Sequence, residues 1–225
     1  MTGAEALARL KTLADPDRAA RDAACHKAPR VYLGVPVPRI GPLVAGWRAD
    51  ASIGDRVALA RALWDSDVHE ARIAAAKLLT QSRIRPDGAV WDAIRSWVPQ
   101  FDAWAIADAA SSAGERRLVA DPSRLDEVEG WVAEPSMWVR RAALVMTLPW
   151  TKQNYPSADD RAIRERVLDW CATLAPDREW FIQKAVAGWL RSLSRHDPGR
   201  VDRWLADHGD ALKPFARKDA ARRMP

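Results

Sequence analysis

One tryptophan and one aspartate stand one helical turn apart in an alanine-rich segment that is otherwise typical of a helix. The segment reads FDAWAIADAASS, and the two residues are Trp104 and Asp108. Aspartate is a mediocre helix former, so a carboxylate inside such a run needs a reason. A carboxylate beside an electron-rich ring suits a group that carries or develops positive charge. A structural cap or salt bridge is the alternative for Asp108, whereas Asp102 is expected to cap the start of the helix.

The elements that must position this pair are predicted to be helices throughout. Proline, often behind an aspartate, precedes apolar residues at three- and four-residue spacing in ADPDRAARDAA, DPSRLDEVEGWV, EPSMWVRRAALVM, YPSADDRAIRERVLDW, APDREWFIQKAV and HDPGRVDRWL. We expect each proline at about the first helical position. The one extended candidate, VYLGVPVP, contains two prolines and is interpreted as a connector. The sequence therefore predicts an all-α protein of roughly a dozen helices.

Three segments, HEARIAAAKLL, MWVRRAALVMTL and WFIQKAVAGWL, resemble one another. Aligned on Ala74, Ala142 and Ala185, they are separated by multiples of roughly 35–45 residues, the period of HEAT-like two-helix repeats. This period predicts a superhelical solenoid that forms a single domain over residues 1–225. One period after Ala74 falls at or beside Asp108, a place that the other repeats fill with alanine. Either this helix face lines a cleft, or the carboxylate is a buried structural cap.

Composition and charge narrow the function classes. The net charge of +5 and the pI near 9.5 favour an acidic partner, nucleic acid first. The N-terminal segment MTGAEALARLKTLADPDR predicts neither a signal peptide nor a membrane span, so we expect a cytoplasmic protein with no membrane partner. The histidines lack metal-ligand spacing, and Cys25 and Cys171 are expected to be reduced thiols. We expect no metal site and no cofactor, and no phosphate loop, Gly-x-Ser-x-Gly elbow or HExxH helix is present.

Six segments in order carry a resemblance to a known family: YLGVPVPRIGPLV, LWDSDVHEARIAAAKLL, FDAWAIAD, SMWVRRAALVMTL, FIQKAV with LRSLSRHDP, and ALKPFARKDAARR. The chain resembles the HEAT-like-repeat alkylpurine DNA glycosylases of the DNA alkylation repair family. The resemblance implies a superhelix whose concave face holds duplex DNA. It also implies an enzyme of base excision repair that hydrolyses the N-glycosidic bond of purines alkylated at N3 or N7. We expect a monomer.

Such a substrate needs little from the protein to make the base leave. An N3- or N7-alkylated purine is cationic and departs as a neutral molecule, whereas the sugar develops oxocarbenium-like charge. A fixed carboxylate stabilises that charge and orients or deprotonates the attacking water. The resemblance implies that Asp108 is this catalytic carboxylate and that Trp104 lies beside the lesion. Core filling is the alternative for Trp104, because the chain contains 12 tryptophans.

Basic residues at corresponding places in the repeats are expected to neutralise DNA phosphates. They are Arg72, Arg140, Arg141, Lys184 and Arg191. The match is most specific for Arg141, whose RRAA context resembles the family's arginine before an alanine pair. Arg140 and Lys184 are assigned to DNA with it. The alternative is that these side chains form intramolecular ion pairs or a solvated face.

One expected substrate contact departs from the family pattern. The family's second substrate-facing tryptophan stands in a KAIGW-type string, whereas this chain reads KAVAGW, with Gly188 in the tryptophan's place and Trp189 one residue later. A shift of one residue rotates a helical side chain by about 100°. Trp189 is therefore expected either to turn away from the cleft or to be restored as a substrate contact by a local bulge. A non-catalytic protein that binds damaged duplex DNA and a protein-interaction scaffold stay open as alternative functions.

Overall fold

Helices form nearly all the regular structure of the protein in the computed structural model, which describes residues 1–222. Within these residues there are thirteen α-helices and no strand, and an isolated parallel bridge joins Val31 to Val68. The all-α prediction is confirmed, and VYLGVPVP is a connector as expected up to Pro36, after which its last two residues begin a helix. The helices are α1 (Gly3–Lys11), α2 (Pro16–His26), α3 (Val37–Arg48), α4 (Ile53–Asp65), α5 (His69–Leu78), α6 (Gly88–Trp97), α7 (Trp104–Ala120), α8 (Leu125–Gly130), α9 (Met137–Met146), α10 (Ala158–Leu174), α11 (Trp180–Leu193), α12 (Pro198–His208) and α13 (Pro214–Ala220).

The helices group into two compact units, and the first of them is Met1–Ala120. In this unit α5 packs between α3 and α7, while α4 contacts α1 and α6. Helix α4 also packs on α5, and α6 packs on α7, so that successive helices pair across two rows. Such pairing is the arrangement that two-helix repeats produce. That residues 1–225 form a single domain stays a prediction.

The second unit begins at Asp121 and repeats the same kind of packing. Here α11 packs between α9 and α13, and α10 and α12 contact α11. A short 3₁₀ helix, Trp131–Ala133, lies against α8 and α9. The three segments aligned from the sequence are α5 in the first unit and α9 and α11 in the second. Ala74 and Ala142, on which they were aligned, are fully buried.

The proline signals located some helix starts and missed others. Pro16 and Pro198 are the first residues of α2 and α12, each behind an aspartate whose side chain accepts a backbone N–H. Pro135, Pro156 and Pro176 instead precede the helix, which was not predicted. Before α10, for example, Ser157 and Asp160 form a capping box that fixes the start beyond the proline.

Tryptophan fills much of the interior. Trp64 and Trp97 stack with ring centroids 4.4 Å apart in the first unit, and Trp204 is buried in the second. Core filling, the alternative that the number of tryptophans suggested for Trp104, is the role of these three residues. None of the helices within residues 1–222 combines the length and the apolar character needed to cross a bilayer.

Candidate functional site

The start of α7 is held by a buried guanidinium. The Arg30 side chain, 3% exposed, pairs with the Asp102 carboxylate just before α7, and its Nη1 lies 3.4 Å from Asp67 Oδ1. Arg72 reaches the same Asp67 oxygen at 3.0 Å. The prediction that Asp102 caps the helix is wrong, because Arg30 takes one of its oxygens and the other has no hydrogen-bond partner within the described chain. The ion pairs fix where α7 begins, and with it Trp104.

An open cleft of about 620 Å³ lies between three neighbouring helices of the first unit. Trp104, Asp108 and Ser112 line it from α7, at four-residue intervals that place them on one helix face. The remaining lining residues come from α3, α5, the turn after α5, and α7: Val37, Gly41, Val44, Arg48, Ile73, Lys77, Thr80, Ala105 and Ala109. Asp108 is half-buried and Trp104 is 42% exposed. Asp108 therefore lines a cleft, as one of the two interpretations of the aspartate requires, and its catalytic role stays a prediction.

Trp104 belongs to a cluster of four aromatic rings. Its ring centroid lies 5.1 Å from that of His26, which lies 4.5 Å from that of His69. Tyr32 stacks on His69 at 4.8 Å, from the connector between α2 and α3. The cluster supports one side of the tryptophan, which leaves its exposed part available to a ligand.

Both histidines of this cluster are neutral near pH 7. Burial, together with repulsion from His26 when that ring is protonated and from the Arg30 guanidinium, lowers the pKa of His69 to about 3. Burial also lowers the pKa of His26, against the opposing effect of the Asp22 carboxylate. The imidazole next to Trp104 therefore adds no positive charge to the site. A cationic ligand at Trp104 meets no repulsion from it.

The connector that supplies Tyr32 is anchored by a buried carboxylate. Glu70, at the start of α5, accepts the backbone N–H groups of Leu33 at 2.9 Å, Gly34 at 2.6 Å and Val35 at 3.2 Å. Gly34 has φ of +74°, and an added Cβ there would lie 2.2 Å from Asp15 O, so glycine is required at this turn. The second residue of α5 thereby holds the segment that supports the aromatic cluster.

Three of the arginines expected at DNA are occupied within the protein. Arg140 pairs with Asp177 through Nη2 at 2.9 Å and donates Nη1 to the carbonyl of Glu134 at 2.7 Å. Arg72 is buried between Asp67 and the Trp64 ring. Arg191 pairs with Asp219 at 2.7 Å. These bonds use donors that a phosphate would need, and the assignment of Arg140 to DNA stays a prediction.

Arg141 and Lys184 lie instead on an aromatic surface of the second unit. The Arg141 guanidinium lies 5.9 Å from the ring centroids of both Trp138 and Phe181. Lys184 is exposed, with Nζ 5.1 Å from the ring centroid of Trp180, which is itself half exposed. The assignment of Arg141 and Lys184 to DNA stays a prediction.

Trp189 is a core residue of the second unit. Its side chain is fully buried, and its Nε1 has no hydrogen-bond partner within the described chain. The assignment of Trp189 as a substrate contact is therefore corrected: the one-residue shift turns the ring into the interior, and α11 is a continuous α-helix with no bulge to restore it. At Gly188, the place of the family's tryptophan, an added Cβ would meet no atom within 4 Å.

Comparison with known proteins identifies the family of the chain. The family model described as DNA alkylation repair enzyme matches residues 6–224. The chain belongs to the DNA alkylation repair enzyme family. A solved structure from Enterococcus faecalis, described as a predicted DNA alkylation repair enzyme, is 21% identical with a TM-score of 0.77, over 93% of this chain and 95% of that one. AlkD2 from Streptococcus mutans is 18% identical with a TM-score of 0.63, over 83% of this chain and 89% of its own. No curated protein matches the chain.

Sequence reasoning missed three residues of the site in this family member. His26 ends α2, Arg48 ends α3, and Lys77 lies in the last turn of α5. Arg48 and Lys77 do not occupy the repeat position of the arginines that were considered. Their position near the C-terminal ends of helices could have indicated them, because stacked repeats bring equivalent helix ends to the same edge.

Proposed function

We propose that the protein is a DNA glycosylase that excises cationic N3- or N7-alkylated purines from duplex DNA by hydrolysis of the N-glycosidic bond. The observation that carries the proposal is the pair Trp104 and Asp108 on one open cleft. Membership of the DNA alkylation repair enzyme family supplies the substrate class. We propose that the enzyme acts as a monomer in the cytoplasm.

The roles follow from charge. The Trp104 face attracts the cationic base and the polarised C–H groups of its sugar. The Asp108 carboxylate stabilises the oxocarbenium-like sugar and orients the attacking water. Because the base leaves as a neutral purine, no general acid is required. The neutral state of His26 fits this chemistry, since an imidazolium beside Trp104 would repel the lesion.

The test is the release of free base from duplex DNA that contains 7-methylguanine. Asp108→Asn keeps the size of the side chain but removes the charge, so we expect loss of most base release with folding and DNA binding retained. Asp65→Asn, at the C-terminal end of α4 and outside the lining of the cleft, is the matched control and should excise like the wild type. Wild-type excision by Asp108→Asn would refute the catalytic assignment, and unfolding of this variant would make Asp108 structural.

A second candidate function has one observation in its favour. With Trp189 buried and glycine at position 188, an aromatic contact implied by the resemblance is missing. The chain would then be a protein that binds damaged or distorted duplex and excises little. Tight binding to duplex with 7-methylguanine, together with base release no faster than in protein-free DNA, would establish this alternative.

A further inference from the structure

The cleft beside Asp108 carries more positive charge than a cationic base requires. Three of its described lining residues are charged: Arg48, Lys77 and Asp108. A cationic purine alone would be attracted by the one carboxylate and repelled by the two cations. The charges of the lining are therefore better matched by a ligand that carries a negative group as well as a positive one.

The two cations differ from the other buried or half-buried basic groups around them. Arg30 and Arg72 are consumed in ion pairs with Asp102 and Asp67. Arg48 and Lys77 are half-buried, and within residues 1–222 neither makes an ion pair or a side-chain hydrogen bond. Their positions in the last turns of α3 and α5 give each a favourable interaction with the helix dipole, but they leave the N–H donors unused.

A nucleotide has the charge pattern that matches. Its alkylated base and reacting sugar are positive and belong beside Asp108 and Trp104. Its phosphodiester is negative, lies within a few bonds of the same sugar, and suits the N–H donors of an arginine and a lysine. A free anion would satisfy Arg48 and Lys77 but would be repelled by Asp108, so a group joined to a cationic centre fits the cleft better.

We propose that Arg48 and Lys77 form a phosphate subsite that holds the lesion strand beside the alkylated nucleotide. The subsite rests on the proposed glycosylase function and adds positioning residues to it. By gripping the backbone next to the lesion, the two cations set the sugar against the Asp108 carboxylate. Their loss reduces productive positioning as well as affinity.

The experiment measures binding separately from excision. The probe is a duplex with one 7-methylguanine on a 2′-fluoro sugar, which blocks base release, titrated at salt concentrations from about 50 to 200 mM. The Arg48→Gln/Lys77→Gln double variant should reduce the slope of log affinity against log salt by roughly 2, since each lost phosphate contact removes about 0.9. The matched control is Lys11→Gln/Arg61→Gln. Both control residues are exposed cations of the first unit that have no side-chain partner within residues 1–222, and Lys11 also ends a helix.

A second arm neutralises the DNA instead of the protein. Replacing single phosphates near the lesion by methylphosphonates should reveal one linkage whose neutralisation weakens the wild type several-fold but leaves the double variant unaffected. Lys77→Arg keeps the positive charge, so it should retain the salt slope of the wild type. A purely structural role for Lys77 does not require that the charge be kept. A salt slope equal to that of the control, or additive effects of variant and methylphosphonate, would overturn the subsite. Wild-type protein that excises 7-methylguanine while giving those results would leave the glycosylase proposal standing, whereas wild-type protein that does not bind the duplex would overturn both.

Discussion

The ring of Trp104 lies 5.1 Å from the ring of His26, and the histidine is held neutral by burial. The tryptophan that is proposed to face a cationic base is therefore backed by an uncharged neighbour. Protonation or replacement of this neighbour by a cation would change the electrostatics of the site without touching Asp108. This relationship gives the first prediction.

His26→Lys should slow the excision of 7-methylguanine by about tenfold relative to His26→Met, because a fixed positive charge at this distance repels the cationic base in a partly screened medium. The Met variant has similar length and no charge, and so controls for the loss of the imidazole. Single-turnover base release at saturating protein is the measurement. Equal rates for the two variants would show that charge at position 26 does not reach the lesion.

Trp189 gives a prediction about stability. Trp189→Ala should lower the free energy of unfolding by about 3–5 kcal/mol, because it leaves a cavity in the second unit. Trp189→Phe should cost about 1 kcal/mol or less, since it removes a buried N–H that has no partner within residues 1–222. Denaturant unfolding measures both. If the folded Phe variant bound DNA normally but lost most excision, Trp189 would have to reach the lesion, contrary to its burial.

Gly188 allows the missing aromatic to be supplied. Gly188→Ala should stabilise α11 by roughly 0.5–1 kcal/mol, because alanine is the better helix former and its Cβ meets open space. Gly188→Trp places a ring where the resemblance implies one, and we expect excision of 7-methylguanine to rise roughly tenfold. Gly188→Leu supplies bulk without the ring and should leave the rate near that of the wild type. A Trp variant that is no faster than the Leu variant would argue against an aromatic contact at this position.

The buried imidazole of His69 predicts a pH dependence of stability. The unfolded chain binds a proton at His69 near pH 6.5, whereas the folded protein binds it only near pH 3. Stability from this group is therefore fully present above about pH 6.5 and is lost as the pH falls towards 3, by up to about 1.4 kcal/mol per pH unit. His69→Leu should flatten the dependence of the unfolding free energy on pH in this range.

His208 provides the control for this pH experiment, because it is an exposed histidine of the second unit. His208→Leu is the matched variant, because it removes an exposed imidazole by the same substitution. Unfolding free energies of the wild type and both variants, measured at several pH values from about 4 to 7, separate the two residues. A slope in His69→Leu as steep as in the wild type would mean that other groups cause the acid loss.

The sequence predicted the helical class and the neighbourhood of Trp104 and Asp108, because both depend on local spacing. It could not predict which arginines are free. Arg140 is paired with Asp177, and at a sequence separation of 37 nothing signals that the two side chains meet. Arg48 and Lys77 were missed for the same reason, since the cleft that joins them exists only after α3, α5 and α7 have packed.

Local context decided the smaller errors as well. Pro156 resembles Pro16 in sequence, yet the capping box of Ser157 places the helix start beyond it. Asp102 has the residue type of a cap, but the charge of Arg30 competes for it more strongly than the backbone N–H groups do. The turn of Trp189 into the core could be anticipated, because a one-residue shift on a helix has a fixed angular consequence.

The Glu70 carboxylate holds the connector between α2 and α3 through three backbone N–H groups and through no side chain of that connector. Every residue except proline has the same backbone N–H group, so this contact does not depend on most of the side chains in the connector. An exposed position there, such as Val31, can vary in sequence or be randomised in a library, whereas Glu70 and Gly34 cannot. The connector beside the cleft is thus a place where new ligand contacts can be selected while its course in space is kept.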